Sequence, residues 1–595
     1  MLAISNVFTE VPSNVTSLQR DLQVVLLGTL FLVTADVLAQ SESVSPEAGY
    51  DTTTANRECV ELTADRQSLY SDFDFLGDRK GAGLKGTETI SSIVFLRQNV
   101  FPDADHLLAR VTNRFNIVTR ESTLRAALPF AVGDRVTNEE LEEAERILRR
   151  TRFLYDARVI VQKRCADGIS LAVIVRDVWT LTPSLGFARA GGDNQTDFGI
   201  TESNLLGLGK ALSLSYQSDQ DRAGVQFSYS DPNIAGTRWT ANLTATSNDD
   251  GEVFGARVER PFFALDTTWA TGAAFSSVTR EQPLEFLSET LFDIDVERQT
   301  AEAFIGTSRG RVQGWVDRFS FGFAFDDERY EFPSDFPGDQ LVERRFAYPF
   351  LAWQRIEDRF VRGENLQRVE RTEDLSLGLR THARVGWSTD IFGGDESTLL
   401  YSADASKRWY LTESQLVGFS AGLSGRYDLD SGRGTEDFIS RAELDYLLRS
   451  NSRIGLYARL RLNFTRDLDP ESQLTLGGDT DLRGYPSRYQ PGDRSYLATL
   501  EQRYYSDWSP FGLFRVGFAA FVDVGRAWFG ETAPEWVPER SGDHFGTLSN
   551  VGLGLRLESI RTRRDRVLHI DLAHPLVDGP GVDSFQLVLT AKRSL

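Results

Sequence analysis

From about Leu181 to Leu595 the chain consists of stretches in which every second residue is apolar. Leu212, Leu214 and Tyr216 alternate with Ser213, Ser215 and Gln217; Val225, Phe227 and Tyr229 alternate with Gln226, Ser228 and Ser230. The clearest run sets Ile454, Leu456, Ala458, Leu460, Leu462 and Phe464 against Arg453, Arg459, Arg461 and Asn463. A period of two is the mark of a strand with two unlike faces. A soluble sandwich also alternates, with one face in a core and the other in bulk water. Here the second face repeatedly carries Arg, Glu, Gln and Ser over nine to thirteen residues. Such strands are long for a sandwich and match those that cross a bilayer around a wet interior. Met1 is the only Met, whereas packed cores commonly use several. The pattern predicts an all-β transmembrane antiparallel barrel over residues 181–595.

The rest of the composition is compatible with that. Of 595 residues 41% are hydrophobic, and no stretch after residue 40 reaches the roughly 20 apolar residues of a membrane helix. Net charge is −21, which argues against nucleic acid as a partner. Residues 22–39 are apolar, follow Arg20, and place Val37 and Ala39 ahead of a cut before Gln40. They read as a secretory signal peptide (1–39), with a short membrane anchor as the other reading. In an oxidising compartment Cys59 and Cys165 can form one bridge or stay as two thiols, and sequence does not decide between them. The five His are scattered and show no metal-ligand spacing, so neither metal nor cofactor is expected.

Residues 40–88, rich in Ser, Thr, Asp, Glu and Gly, read as a poorly ordered extension. A small α+β unit follows at 89–178. Ile90–Leu96 is a strand, Glu121–Ala127 a short helix, and Asn138–Arg149 a strong helix. Leu141, Ala144, Ile147 and Leu148 share one face of that helix, with acids in its first turn and Arg in its last. Strands at Ala157–Gln162 and Ile169–Val175 close a β-α-α-β-β order. In the barrel, five strands follow residue 493, and eleven to fifteen candidates precede 465. The polar segment 330–375 reads as a long loop.

Between them lies Leu474–Tyr485, a Gly-rich, turn-like segment holding one Arg. Further on, Phe521-Val522-Asp523-Val524-Gly525 offers an acid that alternation points into the barrel. A loop Arg usually faces water; paired with Asp523, Arg483 would instead clamp an inward-folded loop, 470–492. The other reading makes Asp523 one of many lumen acids meeting other Arg. Gly418-Phe419-Ser420-Ala421-Gly422 matches the G-x-S-x-G nucleophile elbow, which needs a strand-to-helix turn. Here no helix follows, small residues filling a strand explain it better, and no enzyme activity is expected. The Asn-x-Ser/Thr sites at Asn194, Asn242 and Asn463 fall in or beside strands and read as chance matches.

Leu482-Arg483-Gly484-Tyr485 and Phe521-x-Asp523-x-Gly525, with Val551–Arg556 and Ile570–Leu576, together resemble the BamA/TamA superfamily of outer-membrane assembly and translocation proteins, the surface antigen D15-like group. The α+β unit is similar to that family's POTRA domain, and there is room for a single one. The resemblance covers roughly residues 90–595. It implies sixteen strands, with up to twenty allowed by the alternation, and a pairing of Arg483 with Asp523. It implies localisation in the outer membrane of a Gram-negative bacterium, with the N-terminal domain in the periplasm. Implied partners are outer-membrane lipid and lipopolysaccharide, unfolded β-barrel or secreted client proteins, and periplasmic chaperones or accessory subunits. The weak seam is expected where the first strand, with Pro183 and Gly186, meets the last, with Phe585, Leu587 and Leu589. The implied function is insertion or translocation of clients through that seam without nucleotide; the alternatives are a dedicated secretion pore and a structural or lipid-transport barrel. Two departures stand out: the last strand ends Lys592-Arg593-Ser594-Leu595 rather than in an aromatic residue, and several family members carry more than one POTRA unit.

Overall fold

The computed structural model describes residues 60–61, 84, 86–100, 117–337, 341–363, 373–430, 432–451, 453–469, 472–508, 510, 514–530, 533–538, 541–559 and 567–592. The leader expected at 1–39 and nearly all of the extension 40–88 lie outside these residues.

Helix α2 (Asn138–Arg150) starts where Thr137 accepts from the Glu140 backbone N–H and the Glu140 carboxylate accepts from the Thr137 N–H, a capping box. Its apolar face buries Leu141, Ala144 and Leu148, with Ile147 only half-buried. The partners are Leu124 of α1 (Glu121–Ala127), Leu128 just after it, and a five-stranded sheet. That sheet holds β1 (Val60–Glu61), β2 (Glu88–Gln98), β3 (Arg135–Val136), β4 (Leu154–Cys165) and β5 (Gly168–Asp177) in the order β1-β4-β5-β2-β3. The parallel pairing of β2 with β5 needs a crossover, which the two helices occupy. Two two-residue strands, β1 and β3, are additions to the expected order. Cys165 is disulfide-bonded; Cys59, the only other cysteine of the chain, lies outside the described residues.

The remainder is a closed antiparallel barrel. Its first ten strands are β6 (Leu181–Ala190), β7 (Asp193–Leu205), β8 (Lys210–Ser218), β9 (Ala223–Asp231), β10 (Thr240–Asn248), β11 (Gly251–Arg260), β12 (Trp269–Phe286), β13 (Glu289–Val312), β14 (Trp315–Glu331) and β15 (Leu341–Glu357). A small hairpin, β16 (Phe360–Gly363) and β17 (Glu373–Ser376), interrupts the ring. Then come β18 (Arg380–Ser388), β19 (Thr398–Thr412), β20 (Gln415–Asp428), β21 (Thr435–Arg449) and β22 (Ile454–Arg466). A long loop carrying β23 (Leu474–Leu476) and β24 (Gln490–Gly492) leads to β25 (Arg494–Tyr505), β26 (Phe514–Trp528), β27 (Leu548–Ser559), β28 (Val567–Pro575) and β29 (Gln586–Lys592).

The ring therefore has twenty strands, not the favoured sixteen: fifteen precede the long loop and five follow it. Part of the difference is β15, which takes up 17 residues of the segment expected to be a loop. Its exposed Glu343 and Arg345 hide the alternation, because beyond the apolar belt the outer face of a strand meets water. The belt itself is plain. Leu185, Phe198, Ile305, Phe321, Leu351 and Leu553 are all exposed, far more contiguous apolar surface than a water-soluble monomer keeps. On β26 the exposed Phe518 and Val522 alternate with buried Phe521 and Asp523. The interior is charged, and the exterior is greasy. No helix among the described residues is long and apolar enough to cross a bilayer.

The α+β domain sits against the end of the barrel from which β6 departs. Arg149 grips Asp374 of the β16–β17 hairpin with two bonds of 2.7 Å, Arg362 pairs with Glu145, and Arg311 reaches Glu143 at 3.3 Å and Asp358 at 2.9 Å. At the β7–β8 turn the Arg120 N–H and the Thr123 hydroxyl both donate to the Gly207 carbonyl at 2.9 Å.

Asp177, the last residue before the barrel linker, is buried in this junction. It accepts the Thr119 N–H at 2.7 Å and the Thr119 hydroxyl at 3.0 Å, and Asn204 of β7 donates to that same hydroxyl at 2.9 Å. Burial, only partly offset by these bonds and by Arg97, pushes the Asp177 carboxyl up to about 6. An acid whose folded value lies above its unfolded one keeps its proton longer when folded, so stability falls as pH rises through that window and is level above it. The junction is expected to lose up to about 3 kcal/mol between pH 4 and 6.5. Hydrogen exchange of the Thr119 and Gly209 amides should show it, and Asp177→Asn should flatten the dependence.

Candidate functional site

The long loop does not leave the barrel; it folds inward. Leu482, Tyr485 and Tyr489 are fully buried and pack with Leu476, Leu497, Ala527 and Leu548. From this apolar knot Arg483 projects into a charged pocket of the wall. Its Nε and Nη2 each donate to Asp523 at 2.8 Å, a bidentate pair, and its Nη1 donates to Glu501 at 3.0 Å and Asp571 at 3.2 Å. Its guanidinium carbon lies 3.3 Å from the centre of the Phe521 ring. Three guanidinia meet three carboxylates there: Arg556 bonds Asp571 at 2.5 Å and Glu501 at 3.1 Å, and Arg503 bonds Glu501 at 2.9 Å. Asp523 also accepts from Thr499 at 3.0 Å and Asn550 at 2.9 Å, so its oxygens are fully engaged.

The neighbouring motif residues are explained by close approach. A Cβ on Gly484 would stand 2.6 Å from the Asn550 Cβ, and the Gly484 N–H donates to the Asn550 side chain at 3.1 Å. The Tyr485 hydroxyl donates to the Ser549 carbonyl at 2.9 Å and accepts from the Val577 N–H at 3.2 Å. A Cβ on Gly525 would crowd Leu476 of the loop at 3.0 Å.

Further anchors along the loop were not singled out in the sequence. Asp469 pairs with Arg344 at 2.8 Å and with Arg426. Asp481 pairs with Arg459 at 3.0 Å and with Arg461. Arg488 pairs with Asp221 at 2.5 Å and Glu285 at 2.6 Å. Ser487 bonds the hairpin of the first two barrel strands: its N–H donates to the Gly191 carbonyl at 3.1 Å and its hydroxyl to the Ala190 carbonyl at 3.0 Å. The five residues 483–487 thus touch β25, β26, β27 and β28 on one side and the β6–β7 turn on the other. They bracket from inside the point where the ring closes.

That closure is the weakest joint of the barrel. β29 and β6 share one residue pair, Leu589 with Arg189, whereas the two next shortest ladders, β28–β29 and β15–β18, have seven each. Pro183 lies on β6 opposite Ile200 of β7, and it has no N–H to give a ladder. Gly186 faces Asp197, where a Cβ would collide with the carboxylate at 1.6 Å. Leu587 is exposed on the outer face of β29 and Leu589 is half-buried. Phe585 precedes the strand, exposed, with its ring 5.1 Å from that of His574. Ser420 lies mid-strand on β20, paired with Ser406 and Glu443, and no helix follows it. The elbow geometry is absent.

None of the protein-family models matches the chain, and no curated protein does. Solved structures with a similar course include CdiB from Escherichia coli, at 14% identity over 97% of this chain and 98% of that one, with a TM-score of 0.44. CdiB from Acinetobacter baumannii shares 13% identity over 84% and 74%, TM-score 0.39. BamA from Haemophilus ducreyi lacking POTRA domains 1-3 shares 15% over 84% and 84%, TM-score 0.38. At such scores the likeness fixes no function for this chain.

Proposed function

We propose that this chain is an outer-membrane protein-assembly factor of the BamA/TamA type, with one POTRA-like domain in the periplasm. A client strand meets the α+β domain, pairs at the seam between β6 and β29, and leaves sideways into the bilayer. The observation that carries this reading is the single residue pair at the seam among the described residues, in a ring whose other joints have seven pairs or more. Parting these two strands would bare two strand edges inside the membrane, and an unpaired edge templates another strand. The client's own pairing and the burial of its apolar face in lipid supply the free energy. No nucleotide, cofactor, metal or catalytic step belongs to this reading. Its partners are the lipid and lipopolysaccharide of the outer membrane, unfolded barrel or secreted clients, and chaperones or accessory subunits that deliver them. Depleting the protein and profiling the envelope is the test: many barrel proteins should vanish together. Loss of a single exoprotein, with the other barrels intact, would overturn the assembly reading.

One observation favours the second reading, a secretion pore. Barrel diameter grows roughly in step with strand number, and twenty strands enclose a wide lumen crossed by the anchored loop. If the loop leaves its clamp, a polypeptide could pass through the middle instead of the side.

A further inference from the structure

Most lumen arginines of this barrel are matched to acids: Arg298, Arg344, Arg384, Arg426, Arg459, Arg461, Arg488 and Arg556 all form ion pairs. A patch of the wall near the α+β domain departs from that pattern. Arg380 opens β18, and Ser406 of β19 stands opposite it. Ser420 of β20 stands opposite Ser406, and Arg408 faces Gly418, where a Cβ would meet the Arg408 and Asp445 side chains at 3.6 Å. With Ser376 from the β17 end and with Lys407, Glu443 and Asp445, these residues line a cavity of about 130 Å³. Neither Arg380 nor Arg408 has a carboxylate partner among the described residues. Charges that act on Arg380 include Arg150, the last residue of α2, and Arg408, and Arg318 lies in the same cationic neighbourhood. The Arg380 Nε and the Ser376 hydroxyl are buried with no hydrogen-bond partner. Two acids line the same cavity, Glu443 opposite Ser420 and Asp445 opposite Gly418; Asp445 accepts the Tyr457 hydroxyl at 2.5 Å, and Glu443 meets Arg461 at 3.7 Å.

We propose that this cavity binds a tetrahedral oxyanion of the phosphate class, held by Arg380 and Arg408 with hydroxyls from Ser376, Ser406 and Ser420. Two planar forks and three hydroxyls converging from four strands suit an acceptor with oxygens in several directions. The volume admits a phosphate group and little else. Arg380, Arg408 and the nearby Arg150 outnumber the two lining acids, and Glu443 is shared with Arg461, so an anion gains there. The third cation comes from the domain, so a bound anion relieves the repulsion between Arg150 and the wall and ties the docked helix to the barrel. This gives the serine of the G-x-S-x-G sequence a role as a hydrogen-bond donor, with no nucleophilic chemistry.

The test uses the full chain in detergent micelles and inorganic phosphate, at constant ionic strength with chloride as the replaced ion. Calorimetry should show saturable binding. Arg380→Gln and Arg408→Gln should each weaken it at least about tenfold, the usual worth of a charge-assisted hydrogen bond, and Ser420→Ala should weaken it several-fold. Heat-modifiable gel migration reports whether each variant is folded. A second readout needs no variant: phosphate should protect Arg380 and Arg408, and not Arg309, from an arginine-selective dicarbonyl reagent, read by peptide mass spectrometry. A short-chain phosphatidate run beside inorganic phosphate separates the sources, since tighter binding of the lipid points to a headgroup and equal binding to the free ion. Heats that do not saturate, or equal protection by chloride, would mean a solvated cationic wall only and would overturn the site.

Discussion

Arg483→Ala is expected to destabilise the closed barrel by about 3–5 kcal/mol, the cost of removing one partner from a buried charged pair. The pocket around Arg483 balances three guanidinia against three carboxylates, and all six side chains are at most 9% exposed. Taking one cation away leaves a surplus negative charge that water cannot reach. The denaturant midpoint should drop, and single-channel conductance should rise sharply as the loop loses its strongest tether. Lys at 483 should rescue little, because an ammonium cannot reproduce the two parallel bonds to Asp523 or the stacking on Phe521. Adding Asp523→Asn to Arg483→Ala removes the surplus charge and should recover a substantial part of the loss. If the single alanine variant unfolds at the wild-type midpoint with unchanged conductance, the loop is not clamped as described.

A disulfide across the seam is expected to abolish client insertion. Leu589 and Arg189 are direct partners on neighbouring antiparallel strands, and such Cα atoms lie within the span a disulfide bridges. In Arg189→Cys/Leu589→Cys, oxidation should stop insertion of a test barrel into proteoliposomes, and mild reductant should restore it. Each single cysteine should behave as wild type under both conditions. Undiminished insertion through the oxidised seam would exclude the lateral route. Continued secretion with insertion abolished would point to passage through the lumen.

Much of this arrangement was legible before any coordinates. Alternation alone separates Phe518 and Val522 from Phe521 and Asp523, because a strand has only two faces. The acids in the first turn of α2, the Arg in its last and its apolar stripe needed nothing beyond local chemistry. The strand total was not legible. Where β12 to β15 extend past the apolar belt, both faces become polar, and the signal that marks a strand disappears although the ladder continues. The clamp was half legible. Asp523 could be aimed inward from its neighbours, and so could Asp571, but nothing along the chain states which inward acids share a pocket with Arg483. Glu501 and Asn550 meet it only because three ladders hold the strands in register. The anchors at Asp469, Asp481 and Arg488 pair with residues up to 267 positions away, a relation no local pattern encodes. The unpaired arginines at 380 and 408 show the same gap: each looks ordinary in sequence, and the missing carboxylate is visible only once the wall is assembled.

The order in which the chain is written sets when the clamp can exist. The three carboxylates around Arg483 lie 18, 40 and 88 residues beyond it. During the protein's own biogenesis the anchors at Asp469, Asp481 and Arg488 can form with strands already made, but the pocket around Arg483 is complete only when β28 has taken its place. Closing that pocket is a late event, and a molecule truncated before β28 would leave Arg483 and Arg556 without the Asp571 carboxylate.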